Sequence, residues 1–350
     1  MEEKATEKID ILSLTLSELE EKIIEIGEAK FRAKQIYGWI NKGMWGGEMR
    51  NISATLQKKL DDVFEFRLPK VKRKLVSQID GTIKYLYELI DGECIESVFM
   101  KYEHGNTLCI SSQVGCRMGC KFCASTILGR VRDLLPSEML GQIIATEKDT
   151  GERISNVVMM GIGEPLDNYD NTVKFLRLVS SDEGLNIGLR HISLSTCGLV
   201  DKIEKLSGEG LPITLSVSLH AYDNQVRSSI MPVNNKYPIE KLLTTCNKYF
   251  QKTGRRISFE YTLIAGKNDS REGAASLAAI LKKYIHGTCH VNLIPLNEVK
   301  ETKLETSKNV NDFKGKLVSL GVNATVRRRL GSDINASCGQ LRRQAKEETE

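Results

Sequence analysis

Three cysteines, Cys116, Cys120 and Cys123, have a spacing, C-x3-C-x2-C, that suits metal chemistry. Thiolates bind zinc and iron–sulfur clusters, and a closed site of either kind usually has four protein ligands. A cluster held by only three thiolates has one iron open to another molecule. The spacing therefore predicts an iron–sulfur cluster with an open position. The alternatives are three packed cysteines, or a zinc site completed by Cys109 or a distant histidine.

An open iron suits S-adenosylmethionine (SAM), because its amino and carboxylate groups can chelate the iron beside the sulfonium that receives an electron. This stretch of the chain resembles the cysteine signature of the radical SAM superfamily. Four of the nine cysteines lie between Cys109 and Cys123. In a reducing compartment such a cluster of cysteines indicates metal binding or redox chemistry, not a disulfide scaffold.

A glycine-rich turn, Gly-Ile-Gly-Glu-Pro-Leu at residues 161–166, follows an apolar run. It lacks the third glycine of a dinucleotide fingerprint, so a Rossmann site is a poor match. Glycines allow close approach of the backbone, and Glu164 could accept a hydrogen bond from an ammonium group. In radical SAM enzymes a Gly-Glu pair at this position holds the SAM amino group; the alternative is a simple turn at a strand end.

Small polar residues follow later apolar runs, at 193–196, 216–220 and 292–297. Serine and asparagine suit ribose hydroxyls and the edge of adenine, although each residue alone is a weak signal. A lone His220 would more often be a packed, hydrogen-bonded histidine than a ligand.

The elements that must position these residues alternate regularly between strand and helix. Apolar runs typical of strands occupy residues 108–112, 156–160, 191–195, 213–219, 257–264, 290–294 and 324–328. Helical patterns separate them at 137–147, 171–179, 239–250 and 271–284, with Ser137 predicted as the first helix cap. This alternation predicts an α/β fold with a parallel sheet wholly or partly closed into a barrel, with chemistry at the carboxyl ends of its strands.

The N-terminal part has a different pattern. Residues 1–65 have apolar positions at helical spacing, and Thr15 with Glu18 predicts a capping box. Two strands follow, at 83–89 and 96–100, with a turn between them. We therefore expect a small helical and β accessory module before the barrel.

The composition is that of an ordinary globular protein, with 41% hydrophobic and 27% charged residues among 350. No apolar run reaches the roughly 18 residues of a membrane span, and the charged N-terminus does not resemble a signal peptide, so we expect a cytoplasmic protein. The net charge is only +5, but basic residues cluster at 70–74, 327–329 and 342–343. Alone, each cluster is more typical of a solvated face than of an RNA contact.

Together these blocks resemble the RlmN/Cfr family of radical SAM RNA adenine methyltransferases, from about Glu96 to Leu341. The matching segments include Leu-Cys-Ile-Ser-Ser-Gln-Val-Gly-Cys at 108–116 and Cys-Gly-Gln-Leu at 338–341. The resemblance implies a partial (β/α)6 barrel at 91–300, an RNA-binding accessory domain at 1–90 and a C-terminal segment at 301–350.

The resemblance also implies roles for individual residues. Cys116, Cys120 and Cys123 would ligate a 4Fe-4S cluster. Contacts to SAM would come from Gly163, Glu164, Ser195, Ser218, Leu219, His220 and Asn297. Cys338 would be the methyl carrier, Cys109 its partner in a transient disulfide, and Glu96 the acid–base residue; without the resemblance, Glu96 would be an exposed carboxylate.

Two SAM molecules would be used per turnover, because adenine C2 is electrophilic and cannot attack a sulfonium methyl directly. One SAM would methylate Cys338, and a radical made from the second would activate that methyl group for addition to the base. Proton removal and attack by Cys109 on the Cys338 sulfur would release the product and leave a disulfide.

The expected substrate is RNA: 23S rRNA at the peptidyl-transferase loop, and tRNA next to the anticodon. An electron donor such as flavodoxin or ferredoxin is expected as a partner, with a monomeric chain and no membrane. Glu164-Pro165 and Ile294-Pro295 favour C2 methylation over the Cfr-like C8 methylation. The alternative from another functional class is a non-catalytic RNA-binding protein with a structural metal cluster.

Overall fold

A computed structural model describes residues 8–297, 299 and 302–336 of the chain. Its N-terminal module contains a short parallel strand pair and three helices: β1 (Ile9–Asp10), α1 (Leu16–Glu25), α2 (Phe31–Ile40), α3 (Ala54–Val63) and β2 (Phe64–Glu65). The capping box at α1 is confirmed, because Thr15 N donates to Glu18 Oε2 (2.7 Å) and Glu18 N donates to Thr15 Oγ1 (3.3 Å).

The N-terminal module has a core of its own. Leu19 and Ile23 of α1 pack with Ile36 of α2 and Leu60 of α3, and all four are fully buried. Ile144, from the first helix of the barrel, joins this cluster, so the module is seated on the barrel by apolar contact.

The next three strands are antiparallel: β3 (Lys70–Val76), β4 (Ile83–Glu88) and β5 (Cys94–Met100). The predicted strand pair is confirmed, with Ile83, Tyr85 and Tyr87 buried on one face. β5 pairs with the first barrel strand, so the sheet runs without a break past residue 90. The division into domains at residues 90 and 300 stays a prediction.

The remaining elements alternate as the sequence predicts. They are β6 (Thr107–Cys109), β7 (Gln113–Gly115), β8 (Arg130–Asp133), α4 (Pro136–Thr150), β9 (Asn156–Met159), α5 (Tyr169–Val179), β10 (Ile192–Thr196), α6 (Val200–Leu206), β11 (Thr214–Ser218), α7 (Asn224–Ile230), α8 (Ile239–Thr253), β12 (Ile257–Leu263), α9 (Arg271–Tyr284), β13 (Cys289–Pro295), α10 (Val310–Ser319) and β14 (Ala324–Val326).

In the described part of the chain, ten strands form one sheet in the order β14-β13-β12-β11-β10-β9-β6-β5-β4-β3. The strands from β6 to β14 in this order are parallel, and β7 pairs with β8 in a separate hairpin. The predicted α/β partial barrel is confirmed. Because the parallel strands share one direction, their carboxyl ends meet at one edge, where the predicted motifs lie.

The prediction that Ser137 caps α4 is wrong. The helix begins one residue earlier, at Pro136, and its cap position is Leu135, whose backbone N donates to Glu138 Oε2 (2.9 Å). Ser137 lies inside the first turn, and its hydroxyl donates to Asp10 of β1 (2.5 Å). A proline fits the first helical position because its missing N–H would have no partner there.

No helix among the described residues has both the length and the apolar character needed to cross a bilayer.

Candidate active site

The three cysteines of the C-x3-C-x2-C motif lie on the loop that follows β7. Gly115, directly before Cys116, has a φ of +77°, and a Cβ there would lie 1.9 Å from the carbonyl oxygen of Gly129. Only glycine can therefore bring the chain through this turn and leave the β7–β8 hairpin intact. The hairpin thus fixes where the first cysteine of the motif begins.

Backbone contacts hold the rest of this loop. Lys121 N donates to Ile230 O at the end of α7 (3.0 Å), and Thr126 Oγ1 donates to the carbonyl oxygens of Cys120 (3.3 Å) and Cys123 (3.0 Å). All three cysteines line one cavity, which we call the first cavity. Among the described residues, no three His, Cys, Asp or Glu side chains converge closely enough to hold a single metal ion.

The thiols fit an iron–sulfur cluster chemically. Burial, followed by the charges of Cys123 and Glu164, raises the pKa of Cys116 to about 12. Burial also raises the pKa of Cys120 well above its ordinary value. Buried thiolates at this spacing therefore need a positive partner, which a metal cluster supplies. Sulfur is also the donor that iron–sulfur clusters take.

Most of the predicted SAM contacts line this first cavity, namely Gly163, Glu164, Ser195, Ser218, His220 and Asn297. They come from the carboxyl ends of four parallel strands, β9, β10, β11 and β13. Leu219 does not line the cavity, because its side chain is fully buried in the main core. A contact from Leu219 would have to come from its backbone.

Gly163 and Glu164 form a rigid corner of the first cavity. Gly163 has a φ of +111°, and a Cβ there would lie 2.7 Å from the Cβ of Gln113. The Glu164 carboxylate accepts hydrogen bonds from Cys197 N (2.7 Å) and Leu166 N (3.0 Å). Burial raises the pKa of Glu164, and these hydrogen bonds oppose the rise. An ammonium group in the cavity would stabilise the carboxylate further.

His220 is held in an unusual backbone conformation, with a φ of +54°. Its Nδ1 accepts a hydrogen bond from Thr262 N (2.8 Å), so the neutral ring carries its proton on Nε2. Burial, with a contribution from Arg227, lowers the pKa of His220 to about 3. Its ring meets Phe122 of the cysteine loop edge to face, at 4.8 Å between centroids. The histidine is thus a neutral hydrogen-bond donor beside the cysteines.

A second cavity is lined by Cys109. It borders the first cavity, because both are lined by Met160, Ile294, Asn297 and Arg327. Ala336 lines the second cavity and is buried in one cluster with Cys109. The structure therefore places Cys109 next to the site of the three cysteines, with the C-terminal segment packed beside it.

Glu96 lies on β5, on the same face as Cys109. Val98 is paired with Cys109 across β5 and β6, and Glu96 is two residues from Val98, so the two side chains are diagonal neighbours, about 7–8 Å apart. Glu96 is buried, lines neither large cavity, and forms an ion pair with Lys84 (2.7 Å). The alternative interpretation, in which Glu96 is an exposed carboxylate, is therefore wrong.

Cys338, the predicted methyl carrier, lies outside the described residues, as do Ser337 and the basic pair at 342–343. The described chain ends at Ala336, two residues before Cys338.

Two charged residues of the site have no distinctive sequence signal. Arg227 is fully buried, and its Nη2 donates to the carbonyl oxygens of Cys197 (2.7 Å) and Ser218 (3.0 Å), which ties two strand ends together. Glu260 is buried at the first cavity and accepts a hydrogen bond from Asn292 Nδ2 (2.8 Å). The one sequence feature that could have indicated Glu260 is weak: it is a charged residue within the apolar run that forms β12.

Two family models match the chain. Residues 110–278 match the radical SAM superfamily, and residues 9–66 match the ribosomal RNA large subunit methyltransferase N-terminal domain. The first match covers the cysteine loop and most of the parallel strands. The second covers the three-helix module.

Relatives match along almost the whole length. A protein of Clostridium novyi (strain NT) named probable dual-specificity RNA methyltransferase RlmN is 52% identical over 95% of this chain and 98% of its own. A protein of the same name from Clostridium perfringens (strain 13 / Type A) is 54% identical over 95% of this chain and 96% of its own.

The crystal structure of a radical SAM methyltransferase from Sphaerobacter thermophilus superposes with a TM-score of 0.91 at 40% identity, covering 95% of this chain and 99% of the other. The cysteine loop, the cavity it borders and these relatives lead to one conclusion. The chain belongs to the RlmN family of radical SAM RNA methyltransferases.

Proposed function

We propose that the chain methylates carbon 2 of adenine in structured RNA, with Cys338 as methyl carrier and Cys109 as the thiol that releases the product. One observation carries this proposal. The cavity of the three cysteines and the cavity of Cys109 share a border, and the segment that leads to Cys338 packs against Cys109. A reaction that uses all five cysteines needs this adjacency.

In the first cavity, Cys116, Cys120 and Cys123 would hold a 4Fe-4S cluster. Glu164 would accept hydrogen bonds from the SAM amino group, and His220 would donate from Nε2. Ser195, Ser218 and Asn297, with Gly163 and the Leu219 backbone, would complete the contacts. Cluster and SAM together supply the one-electron chemistry that activates the methyl group, and two SAM molecules are used per turnover.

In the second cavity, the thiol of Cys338 would carry the methyl carbon and become bonded through it to C2. Glu96, a diagonal neighbour of Cys109 on β5, would accept the C2 proton, and the radical adduct would return one electron to the cluster. The Cys109 thiolate would then attack the Cys338 sulfur and form a disulfide, and the released methylene carbon would take up a proton to become the methyl group of the product. Cys338 follows Ala336 by two residues, which span about 7 Å when extended, and Ala336 is buried in one cluster with Cys109. We therefore expect Cys338 to come within the Cα separation of about 4.4–6.8 Å that a disulfide needs.

The proposed substrates are 23S rRNA at the peptidyl-transferase loop and tRNA next to the anticodon. The N-terminal module and the basic clusters at 70–74 and 327–329 would add phosphate contacts. A flavodoxin or ferredoxin would supply electrons to a monomeric enzyme in the cytoplasm. The three-domain division, with boundaries at residues 90 and 300, belongs to the same proposal.

The test is anaerobic reconstitution with iron and sulfide, followed by assay with SAM, a reductant and unmethylated RNA. Nuclease digestion and mass spectrometry would locate the new methyl group. We expect 2-methyladenosine. A methyl group at C8 would instead identify a Cfr-like enzyme, and RNA binding without SAM cleavage would identify a non-catalytic protein with a structural cluster.

A further inference from the structure

The segment at residues 331–336, which leads to Cys338, is attached to the turn that joins β3 and β4, residues 77–82. Ser77 Oγ donates to Asp333 Oδ1 (2.7 Å), and Gln78 N donates to Asp333 Oδ2 (2.9 Å). Both carboxylate oxygens of Asp333 therefore accept hydrogen bonds from a turn that is more than 250 residues away in sequence. These hydrogen bonds lower the pKa of Asp333.

A second carboxylate connects the same two parts of the chain, but here the acceptor is in the turn and the donor is in the segment. Asp80, in the turn, accepts a hydrogen bond from Gly331 N at the start of the segment (2.9 Å). Gly331 has a φ of +59°, and a Cβ there would lie 2.6 Å from Ala336 and 3.0 Å from Thr82. The close fit and the reciprocal carboxylates make the turn and the segment one unit.

Lys84 links this unit to Glu96. Its ammonium group lies 2.7 Å from Glu96 Oε1 and 3.3 Å from the carbonyl oxygen of Asn335, and the lysine is buried. A buried ammonium group is stable only with such partners. One cation thus contacts both the carboxylate on β5 and the backbone three residues before Cys338.

We propose that residues 77–82 together with Lys84 form a clasp that positions the segment 331–336 over Cys109, and that Lys84 is a positioning residue joining Glu96 to that segment. The chemical consequence rests on the proposed function, because it concerns delivery of Cys338 to Cys109. The clasp itself rests only on contacts among described residues. It predicts that weakening contacts that involve neither thiol slows the meeting of the two thiols.

Hydrogen exchange of the backbone amides tests the clasp without any chemistry. In Asp333→Ala, the amide of Gln78 should exchange roughly three- to tenfold faster, the change that loss of one such hydrogen bond produces. In Asp80→Ala, the amide of Gly331 should do the same. Asp312→Ala, an exposed acid on α10, is the matched control. Unchanged exchange at both amides would overturn the clasp.

Disulfide formation tests its positioning role. Oxidised glutathione converts two thiols to a disulfide, taking two electrons and releasing two reduced glutathione molecules. In the chain without a cluster, we expect Cys109–Cys338 formation to slow about tenfold in Asp80→Ala/Asp333→Ala and in Lys84→Met. Asp312→Ala should match the wild type. Faster amide exchange with an unchanged disulfide rate would overturn the positioning role.

The role of Lys84 toward Glu96 has its own readout. With RNA, SAM and reductant, Lys84→Met should accumulate the covalent RNA adduct, because Glu96 has lost its ionic partner, and Lys84→Arg should restore release. Lys101→Met, which breaks an exposed ion pair with Glu152, is the control. No adduct in Lys84→Met at normal turnover would overturn this role.

A wild type that forms neither disulfide nor product would contradict the proposed function, and amide exchange would still decide the clasp.

Discussion

The two neighbouring cavities are built in different ways. The first is formed by the carboxyl ends of parallel strands, and its shape is fixed by backbone: glycines at Gly115 and Gly163 that admit no side chain, and strand-end carbonyls tied by Arg227. The second shares part of its wall with these strand ends, but its other side is formed by the antiparallel strand β5 and a C-terminal segment, which a few side-chain hydrogen bonds and one lysine hold in place.

This difference indicates a division of work. A cofactor that must be held in one geometry needs a wall of buried backbone, which costs several kcal/mol to distort. A thiol that must meet first a methyl donor, then RNA, then Cys109 needs an attachment that can be released. A few side-chain hydrogen bonds, worth about 1 kcal/mol each, suit such an attachment.

The largest expected effect is confined to the first cavity. Replacing Cys120 with Ala removes one of three thiolates from the first cavity, so iron content should fall and the visible charge-transfer absorbance should disappear. SAM cleavage and RNA methylation should fall to background. Because Cys120 does not line the second cavity, Cys109–Cys338 disulfide formation with oxidised glutathione should be unaffected. Normal SAM cleavage by Cys120→Ala would contradict the cluster assignment.

Replacing Cys109 with Ala should affect only the last step. Iron binding, methylation of Cys338 and SAM cleavage should continue, but no thiolate can attack the Cys338 sulfur. Each enzyme should therefore complete at most one addition and retain its RNA on a denaturing gel. Cys289→Ala, a thiol on the first residue of β13, is the control and should turn over normally. If Cys109→Ala also turns over, the releasing thiol is another one, and Cys94 on β5 is the next to test.

The first cavity was largely predictable from sequence for a local reason. A buried parallel strand has an apolar run, and its end has small polar residues, so the strand positions and the cysteine loop could be inferred from neighbouring residues. Glu164, four residues after one such run, could be inferred in the same way, but the role of His220 came from the resemblance, because a lone histidine would more often be packed than a ligand. Arg227 could not be found, because its carbonyl partners are defined only by the folded strand ends.

The second cavity was less predictable because its contacts are distant in sequence. The alternation in β4 places Lys84 on the face opposite Ile83 and Tyr85, which would be solvent in a one-sided sheet. The structure covers that face with a segment about 250 residues away, and the lysine is buried. No local pattern indicates such a cover; the resemblance, not the spacing, pointed to Glu96 and Cys109.

The lowered pKa of His220 predicts how the stability of the chain depends on pH. Its folded pKa of about 3 lies below its ordinary value of 6.5, so as pH falls below 6.5 the unfolded chain takes up a proton that the folded chain does not. Stability from this group is therefore lost on acidification. Between pH 7 and pH 5 we expect a loss of about 2 kcal/mol, from the difference between the two pKa values.

The measurement is denaturant unfolding of the cluster-free chain at both pH values, for the wild type and for His220→Asn. Asparagine tolerates the left-handed backbone at this position and does not titrate. The wild type should lose about 2 kcal/mol more than the variant on acidification. Equal losses would show that the folded chain also protonates His220 on acidification. The ring would then not be the neutral hydrogen-bond donor that we infer.

The smallest expected effect concerns RNA contact at β3, the outer strand of the antiparallel half. Lys70 and Lys72 are both exposed or partly exposed basic residues on this strand, but Lys72 pairs with Glu88 (2.9 Å), which raises its pKa. In the described part of the chain, Lys70 has no ion-pair partner. Lys70 is therefore better placed to neutralise a phosphate, because Lys72 would first have to leave its carboxylate.

We expect Lys70→Gln to reduce the slope of log affinity against log salt by about 1, and Lys72→Gln to reduce it by clearly less. Filter binding of unmethylated RNA at a series of salt concentrations measures both slopes, and neither variant should change SAM cleavage in the absence of RNA, since β3 lies outside the first cavity. Equal slopes for both variants and the wild type would place RNA contact on another surface. A larger change for Lys72→Gln would show that RNA displaces Glu88 from its lysine, and the antiparallel half would then rearrange on binding where the first cavity does not.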